Sequence, residues 1–146
     1  MATPPDAGRI AAWGLFRRSH EQVVRAVDAD LIRERNRALA EFDLLAALVA
    51  HGGRALMRTI GDDLGLSKSN VTRLTDRVEG EGLVERERDA IDGRVVHLRL
   101  TRAGREEFRR VLPAYQRALR IRFAALLTDS DVVALARALG KLADGT

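Results

Sequence analysis

From about Arg9 to Asn36, apolar residues recur every three or four positions: Ile10, Trp13, Phe16, Val23, Val24, Val27 and Leu31. That period places them on one side of a helix and predicts a single long amphipathic element. A second helix is predicted from about Leu39 to Ala50, with Phe42, Leu45, Leu48 and Val49 inward, and Gly52-Gly53 stops it. Arg54 to Leu56 reads as a short strand, and Met57 to Leu64 as a third, short helix closed by Gly65. A fourth begins at Ser67, whose hydroxyl suits an N-cap, and ends near Gly80-Glu81-Gly82.

There the period changes. Leu83 to Arg88 reads as a strand, Asp89 to Gly93 supplies turn residues, and Arg94 to Leu100 alternates Val96, Leu98 and Leu100 against Val95, His97 and Arg99. Two such strands around an Asp-Gly turn predict a hairpin. Thr101 then caps a long helix carrying Phe108, Val111, Leu112, Tyr115, Leu119, Phe123 and Leu126, with Pro113 inside it expected to bend it or loosen a turn. Thr128 caps a last helix with Val132, Leu135, Ala136, Leu139 and Leu142 on one side. The order α-α-α-α-β-β-α-α centres on helix, tight turn, helix, hairpin. The expected fold class is mainly α with a small β-hairpin wing, a winged helix-turn-helix flanked by N- and C-terminal dimerisation helices.

Within the fourth helix, Val71, Leu74 and Val78 fall at i, i+3 and i+7 and share one face, which would pack on Ile60 and Leu64. The opposite face then carries Ser69, Asn70, Thr72, Arg73, Asp76 and Arg77. In a helix-turn-helix the second helix enters the major groove, its N-terminal residues nearest the bases. Arg can grip guanine, Asn can pair with adenine, and Ser or Thr can reach phosphates or base edges. The helix N-terminus adds free N–H groups and a partial positive charge for a phosphate. For a lone helix of this kind a solvated polar face is the default reading; the glycine turn before it and the hairpin after it favour DNA. An Arg at a hairpin tip, here Arg94, can enter a narrow A·T-rich minor groove, or stand there as an ordinary exposed turn residue.

Composition narrows the alternatives. A chain of 146 residues is large enough for one domain with its own core, and 46% hydrophobic residues with only 4% aromatic imply a core of Leu, Val and Ala. With Cys 0 there is no disulfide framework, thiolate metal site or thiol nucleophile, and His20, His51 and His97 lack metal-ligand spacing. No cofactor or metal is expected. The N-terminus has no basic region followed by an apolar run, and no segment reaches the roughly 18 apolar residues of a membrane span. A soluble cytoplasmic protein without a membrane partner is expected. The net charge of +4 resides wholly in residues 101–146, nine basic against five acidic, so charge alone locates no nucleic-acid surface. Gly61 to Ser69 has a passing look of a phosphate loop but lacks its Gly-Lys-Ser/Thr junction and a preceding strand. No nucleophile elbow or paired carboxylates suggest an enzyme. Two rivals remain: a winged-helix module that binds proteins and never touches DNA, and a small enzyme on a regulator-like scaffold, which needs a reactive constellation the sequence does not offer.

The run L-G-L-S-K-S-N-V-T-R-L-T-D-R-V-E-G-E-G-L-V-E-R, then D-A-I-D-G-R, then L-R-L-T-R-A-G, resembles the multiple-antibiotic-resistance regulator (MarR) family, most densely over residues 57–105. That resemblance implies a homodimeric winged-helix transcription factor, usually a repressor, which binds a pseudo-palindrome in double-stranded DNA. In many members a small aromatic or phenolic effector releases the DNA. Carried onto this chain, Ser67, Lys68, Ser69, Asn70, Thr72, Arg73 and Arg77 match the DNA-reading helix, with Arg73 and Asn70 expected at base edges. Arg94 matches the wing-tip arginine of the minor groove, and Asp92 the acid that commonly holds that arginine. The chain departs from the family pattern in three places: one wing arginine where two are frequent, Arg58 where a small polar residue is common, and Gly61 where alanine is usual.

As domains this implies one MarR-like unit over 1–146, with 53–101 binding DNA and 9–36 and 102–143 forming the dimer. Trp13, Phe16, Arg17 and His20 stand within two turns of the first helix. A ring, a cation and an imidazole can hold an aromatic acid; an aromatic stripe at helical spacing is more often dimer core, and both readings stay open. The absence of cysteine excludes the thiol-oxidation sensing of one branch of the family.

Overall fold

The computed structural model describes residues 4–145. In chain order it contains α1 (Ala7–Arg35), α2 (Leu39–Ala50), β1 (Arg54–Leu56), α3 (Met57–Asp63), α4 (Lys68–Gly80), β2 (Val84–Arg88), β3 (Val96–Leu100), α5 (Arg102–Arg122), a single 3-10 turn (Ala124–Leu126) and α6 (Asp129–Asp144). The order is the expected one. What the hydrophobic pattern missed is the 3-10 turn, too short to carry a period. It also missed β1's place in the sheet, whose order is β1-β3-β2, antiparallel throughout. β1 adds Arg54 opposite Arg99 and Leu56 opposite His97, so the hairpin is extended to three strands. α5 runs through Pro113 as one helix.

Two compact units divide the chain, and the boundaries fall inside α1 and α5. The first unit is Asp28–Tyr115. Its core gathers Leu44, Leu45 and Leu48 of α2, Ile60 of α3, Leu74 and Val78 of α4, and Leu83, Val84, Leu98 and Leu100 at the base of the hairpin. Beside it Phe42 lies nearly parallel to Phe108, ring centroids 5.5 Å apart, and 4.6 Å from Tyr115. Near Tyr115, burial pushes the Asp43 carboxyl up to about 6. Thr75, also fully buried on α4, completes the inward face that the sequence drew from Val71, Leu74 and Val78.

Helix starts follow side-chain chemistry. Ser67 Oγ accepts from the Asn70 N–H at 3.3 Å, Thr101 Oγ1 from the Gly104 N–H at 3.0 Å, and Thr128 Oγ1 from the Asp131 N–H at 3.2 Å. Each satisfies one of the N–H groups that a helix leaves without an internal partner. The connection from α1 to α2 centres on Arg37, which is only 7% exposed. Its guanidinium donates to Glu41 of α2 at 3.0 Å, to both oxygens of Glu81 at 3.0 and 2.8 Å, and to Glu107 of α5 at 2.9 Å. Glu41 also accepts from the Ala38 N–H, and Arg110 donates twice to Glu107. Periodicity gave no hint of this hub, because its members lie up to 70 residues apart.

Gly61 sits buried inside α3. A methyl group there would meet Val71 Cγ1 at 3.4 Å and the Leu66 carbonyl oxygen at 3.7 Å, ordinary contact distances. Glycine in a helix interior costs about 1 kcal/mol relative to alanine. Gly61→Ala is therefore expected to stabilise the protein by roughly 0.5–1 kcal/mol, read as a higher urea midpoint with an unchanged slope.

The second unit is built from the chain ends, residues 4–27 and 116–145 of those described. Val27 and Ala118 are buried in it. Most of its large apolar side chains are exposed: Ile10, Trp13 and Phe16 on α1, Ile121 on α5, Leu126, and Val132, Val133 and Leu142 on α6. α6 has no buried residue at all. Among the described residues no helix is long and apolar enough to cross a membrane.

Candidate nucleic-acid interface

The turn between α3 and α4 rests on Gly65, whose φ of 63° lies in the left-handed region that glycine adopts without strain. The Leu66 N–H closes it onto the Gly61 carbonyl at 2.8 Å, and Ser67 then starts α4. With Val71, Leu74, Thr75 and Val78 committed to the core, Lys68, Ser69, Asn70, Arg73, Asp76 and Arg77 are left exposed and Thr72 half-buried. Ser67, Lys68, Ser69, Thr72 and Arg73 line an open concavity of about 670 Å³ at the start of the helix.

The side chains of this face differ in how free they are. Among the described residues Lys68 and Arg73 have no carboxylate partner, so their charges are available to a ligand. Thr72 Oγ1 donates to the Lys68 carbonyl at 2.8 Å, which turns its proton into the helix and leaves lone pairs outward. Ser67 and Ser69 hydroxyls lie 3.2 Å apart. Arg77 is engaged: its Nη1 donates to Glu41 Oε1 at 3.3 Å. That contact ties the outer edge of the face to the Arg37 hub.

At the hairpin tip, Asp89 Oδ1 accepts from the Ile91 and Asp92 N–H groups at 2.8 and 3.0 Å. Those two bonds, Asp92's first, hold the Asp89 carboxyl below the usual carboxylate range. Asp92 Oδ1 accepts from the Arg94 N–H at 3.0 Å, and the Asp92 carbonyl from the Val95 N–H at 2.9 Å. The Asp92 carboxylate thus meets the Arg94 backbone and not its guanidinium, because two residues apart in a tight turn the carboxylate faces the N–H. Arg94's side chain stays exposed, without a carboxylate partner among the described residues. A groove of about 610 Å³ separates it from Arg58 and Lys68, with Leu56, Met57, Val71 and Val95 among its walls.

The sheet holds a residue that sequence reasoning passed over. On β2, Arg86 pairs across with Leu98, and so shares the core-facing side with it. Its backbone N–H donates to Glu79 Oε1 at 2.9 Å, its Nη1 bonds Glu79 Oε2, and its Nη2 reaches Asp76 Oδ1 at 2.6 Å and the Thr72 carbonyl at 3.2 Å. The available signal was its phase: Val84, Arg86 and Leu98 obey one alternation, and a cation at an inward strand position requires partners. On the outer side, Glu87 is shared between Arg54 at 2.9 Å and Arg99 at 2.8 Å, and Glu85 pairs with Arg99. Such exposed pairs contribute little to stability.

In the other unit, the four residues considered for an aromatic effector do come together. Trp13 and Phe16 stack at 6.1 Å, Phe16 lies 6.4 Å from His20, and Arg17 sits 5.8 Å from the Trp13 ring. They form a row along α1, with Trp13 59% and Phe16 40% exposed.

A model of the MarR family matches residues 35–95, from the end of α1 to the wing. The transcriptional repressor MprA of Escherichia coli (strain K12) is 42% identical over 65 residues, 44% of this chain and 37% of MprA. The chain thus spans little more than a third of that relative. The HTH-type transcriptional repressor MdtR of Bacillus subtilis (strain 168) is 33% identical over 104 residues, 71% of this chain and 66% of MdtR. Among solved structures, the MarR family transcriptional regulator Sco3205 from Streptomyces coelicolor, crystallised in complex with DNA, superposes with a TM-score of 0.88. It covers 99% of this chain and 91% of Sco3205 at 23% identity, a likeness of fold alone. With its α3-turn-α4 unit, its three-stranded wing and these relatives, the chain belongs to the MarR family.

Proposed function

We propose that the protein is a sequence-specific DNA-binding transcriptional regulator, a homodimeric repressor of a pseudo-palindromic operator. The observation that carries this reading is the pair of cationic sites on one unit that have no carboxylate partner among the described residues: Lys68 and Arg73 at the start of α4, and Arg94 at the wing tip. The named relatives MprA and MdtR are repressors, and Sco3205 was crystallised with DNA. In this reading α4 enters the major groove, and Arg73 and Asn70 meet base edges. Ser67, Lys68, Ser69 and Thr72 take phosphates or base edges, as does Arg77 once it leaves Glu41. Arg94 enters the minor groove from a turn shaped by Asp89 and Asp92. Residues 53–101 form the reading part.

The exposed apolar faces of α1 and α6 then pack against a second copy, since patches of this kind mark protein–protein contacts. Pairing through 9–36 and 102–143 sets two reading helices about 34 Å apart, one turn of DNA. A partner helix suits the open Trp13–Phe16 row better than a free ligand does. An aromatic or phenolic effector is the second reading, with Trp13, Phe16, Arg17 and His20 as its contacts, favoured by Arg17 standing over the Trp13 ring.

The test is selection of bound duplexes from a random pool at two salt concentrations, with wild type and Arg73→Ala. An inverted repeat should emerge, and Arg73→Ala should weaken it by roughly 1–3 kcal/mol and relax one base position. Salt-sensitive binding without a motif would overturn the reading in favour of a protein-interaction module.

A further inference from the structure

The outward face of α4 carries one acid among its donors, Asp76, one turn after Arg73 and Thr72. Its carboxylate is 60% exposed, on the side that the proposed function turns toward phosphates. An uncompensated negative charge there opposes DNA at every sequence. The structure compensates it from behind. Arg86 rises from the core-facing side of β2, where its side chain is only 21% exposed, and meets Asp76 Oδ1 at 2.6 Å. The same Nη2 reaches the Thr72 carbonyl, while Nη1 and the backbone N–H hold Glu79. One guanidinium therefore grips α4 at three points spread over two turns, and each point lies next to a reading residue or on the same turn.

We propose that Arg86 is a positioning residue for DNA recognition: it neutralises Asp76 on the reading face and fixes α4 to the base of the wing, so that Arg73 and Arg94 keep one spacing. This rests on the DNA-binding reading of the preceding subsection. Two effects separate cleanly. Neutralisation needs only a positive charge near Asp76 and acts on any duplex. Alignment needs the planar fork, whose several N–H groups bond Asp76, Glu79 and Thr72 together, and a lysine ammonium cannot reproduce that span.

The experiment measures fluorescence-anisotropy binding of the selected repeat and of a scrambled duplex, at two salt concentrations, for wild type, Asp76→Asn, Arg86→Met, Arg86→Met/Asp76→Asn and Arg86→Lys. Arg86→Met should lose about three- to tenfold on both duplexes, because it uncovers the Asp76 charge. Adding Asp76→Asn should return most of the loss on the scrambled duplex, whereas a residue that merely holds the fold together would show no such rescue. Arg86→Lys should bind the scrambled duplex like wild type yet lose preference for the repeat, and it serves where the methionine variant does not fold. Equal loss in Arg86→Met and the double variant, or wild-type preference in Arg86→Lys, overturns the proposal. A wild type that binds duplexes without selecting a repeat overturns the proposed function, while the Asp76 rescue is still read on scrambled DNA. A wild type that binds no duplex overturns both.

Discussion

Replacing Arg37 by methionine is expected to cost the fold about 3–5 kcal/mol, the range for removing one partner of a buried ionic cluster. The guanidinium sits among three carboxylates, and it is the most buried cation against Glu41 and Glu107, whose side chains are 8% and 12% exposed. Arg77 reaches Glu41 only at 3.3 Å, and Arg110 reaches Glu107 from the outside. Methionine keeps the apolar stem and removes the charge, so the loss reports the stranded carboxylates and not a cavity. Urea unfolding should show it, and adding Glu41→Gln and Glu107→Gln should recover a large part. A loss below about 1 kcal/mol would mean the cluster is no stronger than a surface pair.

The same cluster sets an acid limb. Arg37 holds the Glu81 carboxyl below the usual range, and Arg110 followed by Arg37 does so for Glu107. For groups depressed in the folded state, the stabilisation is complete above their unfolded value, about 4.3, and is lost as pH falls through the lower folded values. Asp43 runs the other way. Raised to about 6 by burial, its charged form opposes folding at neutral pH, and that opposition fades as pH falls from about 6 toward 4. Wild type should therefore hold or gain stability on mild acidification and lose it below about pH 4. Arg37→Met should flatten only the lower limb.

Gly104→Ala is the second large effect, at about 3 kcal/mol, the upper end of what overpacking costs. Gly104 lies in the first turn of α5, where a methyl group would run into the Leu83 carbonyl oxygen and stand 2.6 Å from Leu100 Cδ1. The Leu83 carbonyl cannot retreat, because it accepts from the Thr101 N–H at 3.1 Å and lies 3.0 Å from Thr101 Oγ1. Alanine's better helix propensity, about 1 kcal/mol, is outweighed. The contrast with Gly61→Ala makes the comparison decisive: both glycines are buried in helices, but a methyl group at one meets its neighbours at ordinary contact distance and at the other runs into a pinned backbone. Thermal melts of the two variants should move in opposite directions.

Much of this protein is legible along the chain because it depends on neighbours in sequence. The 3.6-residue period marks α1, α2, α5 and α6, and hydroxyl caps at Ser67, Thr101 and Thr128 place three helix starts within the first turn. The switch to period two after Gly82 marks the wing. The outward face of α4 follows by subtraction, since whatever Val71, Leu74 and Val78 do not bury must point outward. Residues at i, i+3 and i+7 share a face whatever the tertiary fold does.

What the chain alone leaves open depends on groups far apart in sequence. Arg77 and Arg73 look equivalent in the sequence, yet one is drawn to Glu41, 36 residues away, and the other has no carboxylate partner among the described residues. Arg86 shares its strand phase with Val84, but only the pairing with Leu98 shows which side it occupies and which acids it meets there. Arg37 reads as a loop cation until α2, α5 and the end of α4 converge on it with a carboxylate each. Hydrophobic periodicity determines which face of an element is inside. Only the assembled fold decides which charges meet there, because an ion pair has no period and its partners are chosen by packing.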